Sequence, residues 1–365
     1  MKKIVIAGGH LTPALALIEE LEKDKNTKIY FFGRKYATEG LDNLSAEYQI
    51  IKKKQINFFA ITTGRIQRKF TRYTFPSILK IPVGFIQSFF YLLKVRPNVI
   101  VSFGSYVSVP TVFAGWLLGI DSIIHEQASI PGLATKINSL FAKKIFLTWR
   151  ESGKYFDSKK TAVVGNLIRR AIFDKKTKGK EIKNFLDKSK NLIFVTGGNQ
   201  GSHFINELIF ESQNKLKNFC IIHQLGTANF ERDQKKAKKI KSANYQAVNY
   251  IDTQNIGAVL NCADIIIGRA GANTIYELAL LAKPAILIPL TVTSGNEQQE
   301  NAEVLAKAGS AIILSQGKIT EELFVDTVKS MFENLPKYQK SAQQLSKSLK
   351  KDAAEKLAKY IILEL

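Results

Sequence analysis

The residues able to do chemistry gather in a few short windows, and the richest is Ala263–Asn301. It holds RAGANTIYE (Arg269–Glu277) and, after a polar loop, QQEN (Gln298–Asn301). An apolar run, a glycine turn and a helix start in succession make an anion site. Glycines let backbone approach a phosphate, and the first N–H groups of a helix have no partner within it. Glu277, one turn into that helix, repels phosphate but accepts well from a ribose diol. Gln298, Gln299 and Asn301 carry side chains that donate and accept at once, as a ring of sugar hydroxyls requires. Diphosphate, ribose and sugar each find a partner in one window, which points to a nucleotide-sugar site.

A second window opens the chain, where the strand Lys2–Ala7 ends in Gly8-Gly9-His10. A histidine at a strand end can take a proton near neutral pH or donate a hydrogen bond to an anion. Both roles stay open for His10. His125 and Glu126 end another strand, where side chains reach a ligand crevice; His125 equally suits a buried ring that orders its loop. His203 and His223 read as structural.

These windows need a scaffold of parallel strands. Strands are expected at Lys28–Phe32, Gln49–Ile51, Val99–Phe103, Ser122–His125, Lys144–Leu147 and Thr161–Val164, with helical patterns between most of them. A second glycine-turn unit starts at Asn191–Thr196, turns at Gly197–Gly201 and enters a helix at His203–Lys217. Strands at Phe219–Gln224, Gln246–Tyr250, Asp264–Ile267, Ala285–Pro289 and Ser310–Leu314 continue it. The expected fold class is α/β: two Rossmann-like doubly wound domains facing a central cleft. The boundaries fall at residues 1–166 and 167–346, with the terminal helix 347–365 packing back on the first domain.

The chain is strongly basic, with 53 Lys and Arg against 31 Asp and Glu, a net charge of +22. Such a surface favours anionic partners, although scattered lysines also arise without one. Two cysteines without metal or disulfide spacing suit a reducing cytosol. The N-terminus reads as a strand rather than a signal peptide, and no apolar run is long enough to span a membrane. Arg65–Lys94 stands apart, interleaving cations with Phe, Tyr, Ile and Leu and interrupted by Pro76 and Pro82. Three readings suit it: an anionic membrane surface, single-stranded nucleic acid, or a helix with its aromatic face in the core.

Six ordered stretches then carry a resemblance over nearly the whole length. They are GGHLTP (Gly8–Pro13), GSYVSVP (Gly104–Pro110), HEQASIPGLATK (His125–Lys136), GNLIR (Gly165–Arg169), GGNQGS (Gly197–Ser202) and RAGANTIYE (Arg269–Glu277), with QQENA (Gln298–Ala302) behind them. In this order they resemble the bacterial lipid-II-forming, MurG-type GlcNAc transferases of glycosyltransferase family 28. The resemblance implies a GT-B fold and an inverting transfer of GlcNAc from UDP-GlcNAc to undecaprenyl-diphospho-MurNAc-pentapeptide. By matching, Ala272, Asn273 and Thr274 would give backbone N–H groups to the donor diphosphate, Glu277 would hold the ribose, and Ile251 would receive the uracil edge through its backbone. Gln298 and Gln299 would read the sugar and Arg169 would supply positive charge near the diphosphate, with Asn199 and Asn301 also on the donor side. Gly8, Gly9, Tyr106, His125 and Glu126 would face the acceptor, and His10 would be the catalytic residue.

No Asp-x-Asp stands where a donor metal would need it, so no metal and no cofactor is expected, nor nucleic acid as a partner. The expected partners are UDP-GlcNAc, a polyprenyl-diphosphate-linked sugar and an anionic membrane met by Arg65–Lys94, which places the protein peripherally on the cytoplasmic membrane face. The chain departs from the family pattern in three places. The first glycine loop is shorter, Ala128 follows HEQ where Asn is usual, and Asn199 replaces a Ser. These departures keep open a related transferase with another acceptor, or a scaffold that binds without turnover.

Overall fold

The computed structural model describes residues 1–36, 44–64, 74–177, 179–228, 231–290 and 296–364. Residues 65–73 of the basic-aromatic stretch and 291–295 of the polar loop lie outside them. The chain divides into two compact units, Met1–Arg169 with Lys350–Leu365, and Arg170–Leu349.

The first unit runs β1 (Lys2–Ala7), α1 (Leu11–Leu21), β2 (Thr27–Gly33), α2 (Ala46–Lys53), β3 (Asn57–Ala60), α3 (Thr74–Val95), β4 (Val99–Ser102), α4 (Ser108–Leu117), β5 (Asp121–Glu126), α5 (Leu133–Phe141), β6 (Lys144–Leu147) and β7 (Thr161–Val163). Its sheet has the order β3-β2-β1-β4-β5-β6-β7, with each described pairing parallel. Helices must then cover both faces, and the strands read as continuous apolar runs such as IVIA and VIV.

The second unit runs α6 (Lys180–Lys188), β8 (Leu192–Thr196), α7 (His203–Ser212), β9 (Cys220–Gln224), α8 (Glu231–Lys239), β10 (Tyr245–Val248), α9 (Ile256–Cys262), β11 (Ile265–Gly268), α10 (Ala272–Leu280), β12 (Ala285–Leu287), α11 (Glu297–Lys307), β13 (Ala311–Ile313), α12 (Glu321–Glu333) and α13 (Leu335–Ser348). Its parallel sheet has the order β10-β9-β8-β11-β12-β13. The last helix, α14 (Ala353–Glu364), belongs to the first unit. Ala353, Leu357, Ala358 and Ile361 join the core formed with Leu17, Leu21 and Phe31. Lys2 Nζ donates to the Ile361 and Ile362 carbonyls, satisfying acceptors that a helix end leaves open.

Both sheets reverse their winding direction once, between β1 and β4 and between β8 and β11. At such a point the connections on either side leave in opposite directions, opening a crevice at the carboxyl ends of the strands. Gly8–His10 and Arg269–Gly271 leave from those ends.

Two local expectations are corrected. Gln49–Ile51, read as a strand, lies inside α2. Ser45 caps that helix by accepting from the Tyr48 N–H, Glu47 occupies its first turn, and Lys52 and Lys53 its last. The strand that pairs with β2 is β3, further on. Pro82 does not interrupt its segment either: α3 runs through it, because the buried stripe Gly84, Ser88, Leu92 and Val95 continues on its far side while Pro82 itself is exposed.

Candidate functional site

The second unit builds its part of the site at the end of β11. Its four residues are fully buried, and the chain leaves them through Arg269, Ala270 and Gly271 into α10. Gly271 caps the helix with no side-chain hydrogen bond, and the first bond of the ladder runs from Ile275 N to Gly271 O. Ala272, Asn273 and Thr274 therefore precede that ladder, with N–H groups aimed out of the helix start. Glu277 is half-buried on the same helix. Gln298 lies at the start of α11, its Oε1 accepting from the Leu290 N–H at 3.0 Å. Gln299 Nε2 donates to Glu303, and Asn301 is buried with Nδ2 3.4 Å from the Ala270 carbonyl.

Arg269 ties three strand ends together. One guanidinium nitrogen donates to Ser202 Oγ at 2.8 Å and the other to the Ile288 carbonyl at 2.9 Å. Ser202 closes the glycine turn after β8, in which Gly201 has φ +86° and approaches Leu225 so closely that a Cβ would stand 1.9 Å from its carbonyl oxygen. Asn199 is exposed on that turn. Gln224, at the end of β9, donates to Thr196 Oγ1 (3.1 Å) and the Gly198 carbonyl (3.2 Å) and accepts from the Ile251 N–H (3.0 Å). Ile251 is buried with its N–H engaged, so its carbonyl is the backbone group it can offer. Arg269 and Gln224 were not singled out from the sequence. A polar residue closing an apolar strand two positions before a glycine is the signal for Gln224.

The first unit places His10 beside the ends of β4 and β5. His10 is exposed, and its Nδ1 lies 3.1 Å from the Phe103 carbonyl and 2.5 Å from Gln127 Nε2. Gly8 is buried, its N–H donating to Phe32 O. Gly9 is pressed against the Phe103–Gly104 backbone. Gly104 and Ser105 both take positive φ, 76° and 73°, turning the chain sharply into α4. Tyr106, next in line, is half-buried against the core under α3 and α4.

His125 and Glu126 face inward. The His125 ring is fully buried with Nε2 3.0 Å from the Gly165 carbonyl. Burial, helped by the charge of His10, lowers its pKa to about 4 against the opposing pull of that carbonyl, so the ring is neutral at pH 7. Glu126 accepts the Ala128 N–H at 2.9 Å. Arg169 is half-buried at the last residue of the first unit's main segment.

The two histidines read as structural have definite partners. His203 Nδ1 lies 2.7 Å from Asp233, and His223 bonds Tyr245 Oη (2.9 Å) and Asn206 Oδ1 (3.0 Å). His203, Glu207 and Asp233 are also the one group among the described residues with the spacing of metal ligands. Asp233 accepts from His203 and Asn206, and one Glu207 oxygen pairs with Lys236.

On the other side of the first sheet, α3, α4 and α5 expose Leu79, Ile86, Phe90, Trp116, Leu117 and Leu140. Phe113 meets Phe85 and Phe141 edge-on and Trp116 at a tilt, joining the three helices, and an apolar groove runs between α3 and α4. Among the described residues no helix is long and apolar enough to cross a membrane.

Residues 7–147 match the glycosyltransferase family 28 N-terminal domain and residues 192–357 its C-terminal domain. A Treponema denticola relative, named UDP-N-acetylglucosamine--N-acetylmuramyl-(pentapeptide) pyrophosphoryl-undecaprenol N-acetylglucosamine transferase, is 35% identical over 89% of this chain and 85% of its own. The chain belongs to glycosyltransferase family 28. The fold agrees with the family 28 assignment: a crystal structure of Acinetobacter baumannii MurG superposes with a TM-score of 0.72 over 99% of both chains at 23% identity. A UDP-GlcNAc 2-epimerase from Neisseria meningitidis, bound to UDP-GlcNAc, superposes at 0.67 over the whole of both chains at 16% identity. One fold thus hosts two chemistries, and it is the family 28 sequence relationship that separates them here.

Proposed function

We infer that this protein is an inverting N-acetylglucosaminyltransferase that moves GlcNAc from UDP-GlcNAc to the C4 hydroxyl of the MurNAc in undecaprenyl-diphospho-MurNAc-pentapeptide. The observation that carries this reading is the Arg269–Glu277 unit, a helix start with no side-chain cap after a glycine turn and with a carboxylate one turn on, in a chain 35% identical to a relative named for that reaction.

The second unit contributes the donor site. N–H groups of Ala272, Asn273 and Thr274 meet the diphosphate, and Glu277 accepts from the ribose hydroxyls. The Ile251 carbonyl accepts from the base, and Gln298, Gln299 and Asn301 order the sugar. Asn199 on the glycine turn adds a polar partner for the diphosphate, and Arg169, which closes the first unit's main segment, adds a positive one. The first unit contributes the acceptor site, with Gly8, Gly9 and Tyr106 beside His10, and with His125 and Glu126 holding the loops from behind.

In the reaction the C4 hydroxyl attacks the anomeric carbon from the face opposite UDP. Its proton passes to His10 Nε2 as the new C–O bond forms, and the old bond's electron pair leaves with the diphosphate. Helix-start amides and Arg169 stabilise the charge that grows there, so departure needs no donor-site metal and no cofactor. The exposed apolar face of α3–α5, with the cations of Arg65–Lys94, docks the protein peripherally on anionic lipid at the cytoplasmic membrane face, where a lipid-linked acceptor presents its sugar.

Incubation with UDP-GlcNAc and a short-chain lipid-linked MurNAc-pentapeptide tests the reading. A β-linked GlcNAc-MurNAc product is expected. Retained UDP-GlcNAc binding without that product would redirect the acceptor assignment to another lipid or sugar.

A further inference from the structure

Three strand ends meet beside His10. In the sheet β1 neighbours β4 and β4 neighbours β5, so the residues that follow those strands line up although they lie far apart in sequence. His10, Phe103 and Gln127 are brought within hydrogen-bonding reach in this way. Gln127 is 1% exposed, its Nε2 lies 2.5 Å from His10 Nδ1 and 3.5 Å from the Phe103 carbonyl, and its Oε1 has no hydrogen-bond partner among the described residues. His10, by contrast, is exposed.

Nδ1 of a neutral imidazole carries either a proton or a lone pair, so its two neighbours compete. With the proton on Nδ1, the ring donates to the Phe103 carbonyl and Nε2 keeps the lone pair that a base needs. With the lone pair on Nδ1, the ring accepts from the Gln127 amide and Nε2–H becomes a donor. A half-turn of the Gln127 amide exchanges its nitrogen for its oxygen at Nδ1. That oxygen bonds nothing where it stands, so the turn gives up only the contacts of Nε2 with His10 and the Phe103 carbonyl. Once there, it accepts Nδ1–H together with Phe103 O and supports the imidazolium that exists after Nε2 has taken a proton.

We propose that Gln127 is the positioning residue of His10: its buried amide selects which ring nitrogen carries the proton and holds the charged ring during transfer. This rests on the reading of His10 as base. The acceptor hydroxyl gives its proton to Nε2, its oxygen bonds the anomeric carbon, UDP leaves with the electron pair, and Gln127 touches none of the reacting atoms. A carboxylate in its place accepts Nδ1–H as well, whereas an apolar side chain accepts nothing.

The chain has four histidines, so the full protein labelled with 15N-histidine gives a readable set of ring-nitrogen signals, and His10→Ala assigns those of His10. Gln127→Leu is expected to change the tautomer balance of His10 and to lower kcat about 10- to 100-fold, with KM for UDP-GlcNAc kept within about twofold. Gln127→Glu is expected to restore most of kcat. Should Gln127→Leu fail to fold, Gln127→Met removes the hydrogen bonds with less change of shape and gives the same readings. Unchanged His10 signals and unchanged kcat in a folded Gln127→Leu or Gln127→Met protein, with His10→Ala inactive, would overturn the proposal and leave the base reading standing. Wild-type kcat in His10→Ala would remove the base reading itself, and the proposal with it.

Discussion

Gly9 and Gly104 meet backbone to backbone: a Cβ on Gly9 would stand 2.4 Å from the Gly104 carbonyl oxygen and 2.6 Å from that of Phe103. The end of β1 is thereby pressed onto the end of β4, and His10 follows at once. Gly9→Ala must push these backbones apart. A loss of about 1–3 kcal/mol in chemical denaturation is expected, the usual range for overpacking. Turnover should fall more than UDP binding does, because the displaced residue is His10 and not the donor site. Unchanged stability would mean that the two strand ends separate freely.

Glu277 is assigned to the ribose. Glu277→Ala should weaken UDP binding about 10- to 100-fold, the scale of hydrogen bonds to a charged group. Titration calorimetry with 2′-deoxy-UDP provides the check. Wild-type protein should bind this analogue less tightly than UDP, while the variant should distinguish the two far less. Equal discrimination in both proteins would assign the ribose to another residue.

Two buried imidazoles predict acid lability. Burial lowers His223 to about 3 and His125 to about 4, both below the unfolded value near 6.5. Between those values the unfolded chain binds protons that the folded chain does not, so stability falls as pH falls below about 6.5. Each ring contributes roughly 1.4 kcal/mol per pH unit until its folded-state pKa is reached. Urea denaturation at pH 7 and pH 5 should show the loss, and His223→Gln should reduce it. A midpoint independent of pH over that interval would contradict the burial of these rings as neutral groups.

Membrane docking is assigned to the exposed side chains of α3 and α4. Ile86→Ser combined with Phe90→Ser should release the protein from vesicles containing anionic lipid while leaving its melting temperature and UDP affinity near wild type. Phe85 and Phe89 are half-buried, Phe85 against Phe113 and Phe89 against the core beneath, and serine there should unfold the first unit before it affects binding. Vesicle binding unaltered by the exposed pair would place the docking surface elsewhere.

Much of the architecture is legible in the chain because its signals are local. The unit β11, turn and α10 announces itself as an apolar run, a glycine and helix-forming residues, and the same grammar marks β1 and β8. YQII at Tyr48–Ile51 misleads because aromatic and β-branched residues favour strands, yet the Ser45 cap and flanking charges favour a helix. What could not be read are contacts set by strand order. Gln127 meets His10, and Gln224 joins a glycine turn to Ile251, only because particular strand ends are neighbours, and no short-range pattern encodes that. Arg269 could be seen as part of a motif, but its hold on Ser202 and Ile288 could not.

The most direct test of the transferase reading is UDP release from UDP-GlcNAc with and without a short-chain lipid-linked MurNAc-pentapeptide, with UDP-GalNAc and UDP-glucose as controls. The account predicts release that depends on the acceptor and favours UDP-GlcNAc over both controls. Tight UDP-GlcNAc binding with no release on adding acceptor would contradict it.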